Sequence, residues 1–473
     1  MNLRYNNSKY TIISILFIYI FVGVAFAFSF PSGLTSEFAT NYAYILFSYF
    51  LIGGIWFLYI NRYGIYLFEP ISIVMPITLI TFSVEPLVSI ITDDLDVNGF
   101  YVYDGCKMAT TIYMLAAIAF LICYYKEVRF GSRTNYVKKE INEEHNYLDV
   151  KNKNAVIFWA YIFAILGTSI AAIDLIMQGY SFQYIVSLGT SGTLEVDDSS
   201  LGFFINLRYC AVPAIVYLYI YAKNKIPATV LLVISAACMF MRNKRAVLIV
   251  LIGAPIVYYY VRAKRTPKKS TLLIAAIIGA IVIGGMQYMR YDATSSLTQV
   301  NWDGFTLQEL WKGFSGNFDL YKTLYAAVVY FPEKHFFTLG QQLVFLTLVT
   351  AIPRAIWPGK PISIFETLKA EWLGQGAITG AWAYAQITEF YVEYGTIGAI
   401  VLMGIFGKIC RNLKKSYRTP KTIHSLVAYS VTYPMLMQFV IRGYMPINFW
   451  IMFFMLVPVL VIKGFDKIEE RES

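Results

Sequence analysis

Charge is the scarcest property of this 473-residue chain: 14% of its residues are Asp, Glu, Lys or Arg, where a soluble protein carries about 25%. Histidine and cysteine are sparse too. Three histidines (His145, His335, His424) lie far apart, too dispersed for a histidine-based metal centre. Five cysteines (Cys106, Cys123, Cys210, Cys238, Cys410) are scattered through mostly apolar segments without a C-x-x-C pair. That pattern gives neither a disulfide framework nor a zinc site. No glycine-rich phosphate loop of the P-loop or dinucleotide type is present, which argues against an ATP-driven transporter. No cofactor is expected.

What the chain has instead is apolar length. Hydrophobic residues make up 58% and aromatics 17%, and the apolar residues fall into repeated runs of about 20, the length that crosses a bilayer. The expected fold class is an all-α polytopic membrane protein. A net charge of +10 would suggest nucleic acid for a soluble protein. Here the cations fit inside loops, and no nucleic-acid partner is expected.

In chain order, runs read as spans at 10–28, 41–60, 69–92, 108–125, 155–177, 204–222, 226–241, 246–261, 271–289, 383–409, 422–441 and 449–462. Ala25-Phe26-Ala27 resembles a signal-peptidase site, but the run before it is long for a signal core, and an uncleaved helix is the expectation. Twelve spans put both termini on the cytoplasmic side, with 26 Lys and Arg inside and 13 outside, as the positive-inside rule requires. The domain reading is one integral membrane domain, 1–473, with a cytoplasmic loop at 126–154 and a large periplasmic region at 290–383. Within that region Phe305–Tyr330 has one apolar side and reads as an interfacial helix. Gly340–Ile352 is too short to cross and reads as re-entrant or half-buried.

The outer cations are the unusual remainder. Arg242-Asn-Lys244-Arg245 places three cations in a turn at the outer face. It reads as an anion site or as a basic turn bound to lipid headgroups. Arg208, Arg290, Arg354 and Arg442 fall near the same depth, and Lys360 follows Arg354 in Ile352-Pro-Arg-Ala-Ile-Trp-Pro-Gly-Lys-Pro361. A guanidinium stays charged and offers a planar fork to phosphate oxygens, so several together would hold a diphosphate. Snorkelling to headgroups is the other account of each.

Acids accompany them. Asp292 follows Arg290, and Glu389 and Glu393 stand i, i+4 at the start of a span. Such a carboxylate beside arginines would stay ionised and accept a proton from a sugar hydroxyl, or serve as a structural ion pair. Glu85 and Asp174, inside spans, are partners for an outer arginine or substrate contacts. Trp357, Tyr391 and Tyr394 offer faces for sugars, although tryptophan is also the ordinary interface anchor.

The segments Leu207-Arg-Tyr209, Met289-Arg-Tyr291, Ile352-Pro-Arg-Ala-Ile-Trp-Pro-Gly-Lys-Pro361 and Thr388-Glu-Phe-Tyr-Val-Glu-Tyr-Gly-Thr-Ile-Gly398, in this order among the spans, resemble bacterial O-antigen polymerases. These are oligosaccharide repeat-unit polymerases, and the enterobacterial common antigen polymerase is similar in the same places. The resemblance implies a membrane-embedded glycosyltransferase of the GT-C type in the bacterial inner membrane, with its site facing the periplasm. Its partners would be lipid-linked oligosaccharide repeat units, membrane lipid and a chain-length regulator. The growing glycan would move onto a new unit and release undecaprenyl diphosphate without a metal ion. In that reading Arg290 and Arg354 stabilise the leaving diphosphate, with Arg208, Arg242, Lys244, Arg245, Arg442 and Lys360 binding it. Glu389 is the first choice for general base and Asp292 the second. Related ligases that pass the glycan to lipid A–core carry an outer histidine. His335 is the one available here, and no motif around it supports that role. A lipid-linked oligosaccharide flippase is the rival from another class, but it would be expected to show internal repeats, and none is evident.

Overall fold

A computed structural model describes residues 3–30, 35–92, 96–97, 100–101, 103–126, 149–177, 202–241, 245–263, 265–291, 306, 310, 315–352, 356–373, 384–418 and 422–468. Helix dominates. The first five helices are α1 (Leu3–Phe28), α2 (Ser36–Tyr63), α3 (Ile71–Thr92), α4 (Cys106–Tyr125) and α5 (Lys153–Met177). They are followed by α6 (Phe203–Tyr221), α7 (Ile226–Met241), α8 (Arg245–Arg262) and α9 (Lys269–Tyr291). Then come two short helices, α10 (Tyr321–Tyr330) and α11 (Ile364–Leu373), and three long ones, α12 (Gln386–Arg418), α13 (Ile423–Ile441) and α14 (Met445–Ile468). The one strand pairing described joins Asp96–Val97 to Phe100–Tyr101.

Helix covers the central part of every one of the twelve apolar runs. Seven of these helices, α2 to α6, α12 and α14, are long and apolar enough to cross a membrane. α1, α7, α8 and α9 contain shorter apolar stretches, and α13 has 19 residues. Large apolar side chains face outward along the bundle, among them Phe17, Leu58, Phe158, Leu273, Val401 and Leu460. Such a belt is what a lipid-facing surface requires.

Inside the bundle, contact depends on small residues and paired hydroxyls. At Gly407 of α12 a methyl group would stand 2.5 Å from the Phe120 carbonyl oxygen of α4, so these two backbones approach as close-packed membrane helices do. Ser48 pairs with Ser83, and Thr168 with Ser235, at 3.2 and 2.8 Å. Each pair satisfies polar groups that would otherwise be stranded.

The two ends of the bundle differ chemically. At one end Glu69, 1% exposed, accepts from Arg418 Nε and Nη2 at 2.9 and 2.7 Å, with Lys414 at 3.7 Å. At the same end α13 starts with a reciprocal Thr422–Ser425 capping box. His424 bridges Tyr217 Oη and Asp466 Oδ2 at 2.7 and 3.1 Å. The other oxygen of Asp466 accepts from Lys151 and Asn152 N–H ahead of α5. Thus α12 and α14 finish where α13 and α5 begin. Their opposite termini converge on the second end.

Candidate functional site

That second end is assembled from the starts of α12 and α14 and the turn between α13 and α14. Glu389 on the first turn of α12 is fully buried. The Met445 N–H, at the first residue of α14, donates to both of its oxygens at 2.9 and 3.2 Å. A carboxylate is well placed there, because the N-terminus of a helix carries unpaired N–H groups and the positive end of its dipole.

The turn itself is held from three sides. Arg442 N–H donates to Gln438 O at 2.8 Å, Asn448 Nδ2 donates to Arg442 O, and Gly443 N–H donates to Tyr384 O at 2.7 Å. A methyl group at Gly443 would lie 2.4 Å from Gln386 Cα, so only glycine lets the turn press on the start of α12. The backbone of Arg442 is therefore fixed while its side chain stays exposed.

Glu393 faces a different partner. It is fully buried and accepts from Gly340 and Leu343 N–H, capping the π-helical segment Gln341–Leu346. Leu339 N–H donates back to Glu393 O at 2.9 Å. Just beyond, Gly395 has φ +68° and breaks α12. The loop is fastened at its other side too, where Trp450 Nε1 donates to Thr347 O at 2.7 Å. Trp450 stacks edge-on to Phe203 at 4.6 Å, which joins the 3₁₀ turn Gly202–Cys210 and its Arg208 to this end.

Arg208 is enclosed. It is 4% exposed, donates to Asp174 Oδ2 at 2.9 Å and to Tyr209 Oη at 3.0 Å, and so commits two donors inside the protein. Lys360 donates to Thr350 and Ile352 carbonyls at 3.1 and 3.2 Å, binding the end of the loop. Tyr391 is buried with its hydroxyl on Phe331 O at 3.1 Å, whereas Tyr394 and Trp357 are 40% and 36% exposed. Arg245 and Arg290 stand on the first turn of α8 and the last turn of α9. Arg242, Lys244, Asp292 and Arg354 lie outside the described residues. The geometry thus gathers Glu389, Glu393, Tyr391, Tyr394 and Arg442, and ties in Arg208 and Lys360 through their supporting elements.

Gly340–Ile352, expected as a re-entrant or half-buried helix, holds a π turn and one α turn, with Gln342 and Leu346 buried and Val344, Phe345 and Leu348 exposed. The one-sided helix expected over Phe305–Tyr330 contains α10, whose residues Tyr321 to Val328 are all buried. It carries Lys322, 2% exposed, with Asp319 at 3.2 Å, and Thr323, whose hydroxyl meets that of Thr388 beside Glu389 at 3.0 Å. The lone lysine in Leu-Tyr-Lys-Thr-Leu-Tyr was the available signal, because a cation inside an apolar run needs a partner. At the edge of this region His335 pairs with Glu371 at 2.8 Å, and burial, with the Glu371 charge adding, pushes the Tyr330 phenol up. Among the described residues no group of His, Cys, Asp or Glu is arranged to hold a metal ion.

With this architecture in view, the family model for O-antigen polysaccharide polymerase Wzy matches residues 9–468. The chain belongs to that family. Searches of curated proteins and of solved structures found no match. Wzy membership gives the chain a repeat-unit polymerase role with glycosyltransferase-type activity, and the apolar helices make it a multi-pass membrane protein. The Wzy family acts on lipid-linked oligosaccharide repeat units in membranes, so the end that gathers Arg442 and the carboxylates is the first place to look for chemistry.

Proposed function

We propose that this protein polymerises undecaprenyl-diphosphate-linked repeat units at the outer face of the bacterial inner membrane through twelve crossings. The growing glycan leaves its lipid diphosphate and joins a hydroxyl at the non-reducing end of a newly delivered unit, releasing undecaprenyl diphosphate. The observation that carries this reading is the rigid turn at the exposed residue Arg442, built directly on the buried Glu389 of a Wzy-family chain.

The arginines Arg290, Arg354 and Arg442 supply positive charge where the departing diphosphate gains negative charge. Donors fixed in advance stabilise such charge without reorganising. Arg242, Lys244 and Arg245 extend the diphosphate site, and Arg208 and Lys360 hold its walls. Trp357 and Tyr394 meet the glycan, with Tyr391 backing them. Proton removal from the acceptor falls to Glu389 or to Asp292. A base must come within hydrogen-bond reach of the hydroxyl, so Glu389 acts only if acceptor binding opens its enclosure. If it stays enclosed, its work is to hold α14 and the Arg442 turn, and Asp292 is the base. No metal ion takes part, and a chain-length regulator docks from outside the chain.

Purified protein given one synthetic lipid-diphosphate repeat unit should produce a ladder of products. Clean transfer of a single unit to lipid A–core would make it a ligase. Movement of the lipid across a vesicle without new glycosidic bonds would make it a flippase.

A further inference from the structure

Away from this site, α6, α7 and α8 leave an apolar groove of about 760 Å³ between them. That volume lies within the ~300–1,000 Å³ typical of small-molecule sites. Its longest wall is one stripe of α8, Ile252, Pro255, Ile256 and Tyr259, spaced i, i+3, i+4, i+7. The opposite face of α8 packs inward through Val250, Leu251, Ala254 and Val257. Ile252, Ile256 and Tyr259 are each about half exposed, so the groove opens sideways toward where lipid chains lie.

One end of the groove is charged. Arg262 lines it and donates Nη1 to Tyr258 Oη at 2.7 Å, which fixes the guanidinium at the rim. Outside the lining, Lys225 donates to the Leu218 carbonyl at 3.5 Å. Tyr219 in the wall is tied to Thr229 of α7 at 3.0 Å. Lys223, Arg265 and Lys268 are exposed nearby in the chain. Between Asp198 and Asp292 the sequence has no carboxylate. The Asp149 carboxylate that reaches this end of α6 is held by Tyr221 at 2.5 Å and Lys153 at 3.6 Å.

We propose that this groove binds a glycerophospholipid with an anionic headgroup, its phosphate on Arg262 and one acyl chain along the α8 stripe. Charge complementarity points to this ligand: an acyl-sized apolar trough ends in the Arg262 guanidinium, and the Asp149 carboxylate at this end of α6 is already engaged by Tyr221 and Lys153. Basic pockets between membrane helices select anionic lipids in this way. The bundle end is the one that holds Glu69, Arg418 and Asp466, opposite the candidate site, so the lipid is a resident ligand and not the glycan carrier.

The test is native mass spectrometry of the delipidated full-length protein offered equal phosphatidylglycerol and phosphatidylethanolamine of matched chains. The first phosphatidylglycerol adduct should exceed phosphatidylethanolamine by about fivefold or more, the ratio expected per cation near a headgroup. Arg262→Gln should bring that ratio close to one without lowering the melting temperature. Ile252→Trp, which fills the trough and keeps the charges, should lower binding of both lipids. Equal adducts on the unaltered protein would overturn the proposal, as would a preference that survives Arg262→Gln. Displacement of phosphatidylglycerol by inorganic phosphate alone would overturn it too, by showing an anion site with no role for the acyl chain.

Discussion

Arg208 and Arg442 come from the same end of the molecule and do opposite things. Arg208 is sealed against Asp174, with both side chains about 5% exposed, whereas Arg442 is an exposed residue whose backbone is held in the turn. Removing one partner of a buried pair strands the other charge, at a cost of roughly 3–5 kcal/mol. Arg208→Ala should therefore lower the melting temperature sharply. The double variant with Asp174→Ala should lose less than Arg208→Ala alone, while Arg442→Ala should melt like the unaltered protein and lose activity. Similar melting of both single variants would remove the distinction. The sequence showed both arginines and offered Asp174 as a partner, but burial depends on how the 3₁₀ turn packs on α5. No local pattern encodes that.

At the scale of elements, the start of α12 is the organising piece. Its i, i+4 carboxylates were legible as one helical face, yet Glu389 caps α14 and Glu393 caps the loop at Gln341–Leu346. Those partners lie about fifty residues away on either side in the chain, beyond the reach of periodicity. Gly395 lets α12 turn immediately after this pair. Its backbone, at φ +68° and ψ −159°, is one that essentially only glycine adopts and costs an alanine about 1–3 kcal/mol, and an added methyl would also meet the Phe337 ring at 3.0 Å. Gly395→Ala and Gly395→Asn should each melt below the unaltered protein, since neither side chain suits this backbone. Stability equal to that of the unaltered protein would mean the break in α12 is not fixed by this glycine. α10 illustrates the reverse limit: its apolar and tyrosine-rich side suggested an interface, and only packing against α4 and α12 reveals burial all round.

Across the whole molecule, hydropathy and the alternation of basic loops already implied a bundle with two unlike ends. The helical runs, the outward apolar belt and the separation of Glu69–Arg418 from Glu389–Met445 follow that pattern, because span order and loop charge are local properties. Which cations converge is a tertiary property, and the sequence could only group them by depth. The orientation can be checked with single cysteines at exposed positions, Phe336→Cys at the candidate end and Thr266→Cys at the basic end. The five native cysteines are buried or half-buried, so background labelling should be low. A membrane-impermeant maleimide on intact spheroplasts should label position 336 and spare 266; the opposite pattern would invert the molecule. The decisive measurement compares product ladders from the unaltered protein with those from Arg290→Ala, Arg354→Ala and Glu389→Gln, all purified and given the same synthetic lipid-diphosphate unit. The unaltered protein should give a ladder and neither arginine variant any, with folding retained. A loss in Glu389→Gln, which keeps an acceptor for the Met445 N–H, would assign proton removal to that carboxylate. Unaltered ladder lengths and yields from both arginine variants would contradict the diphosphate site.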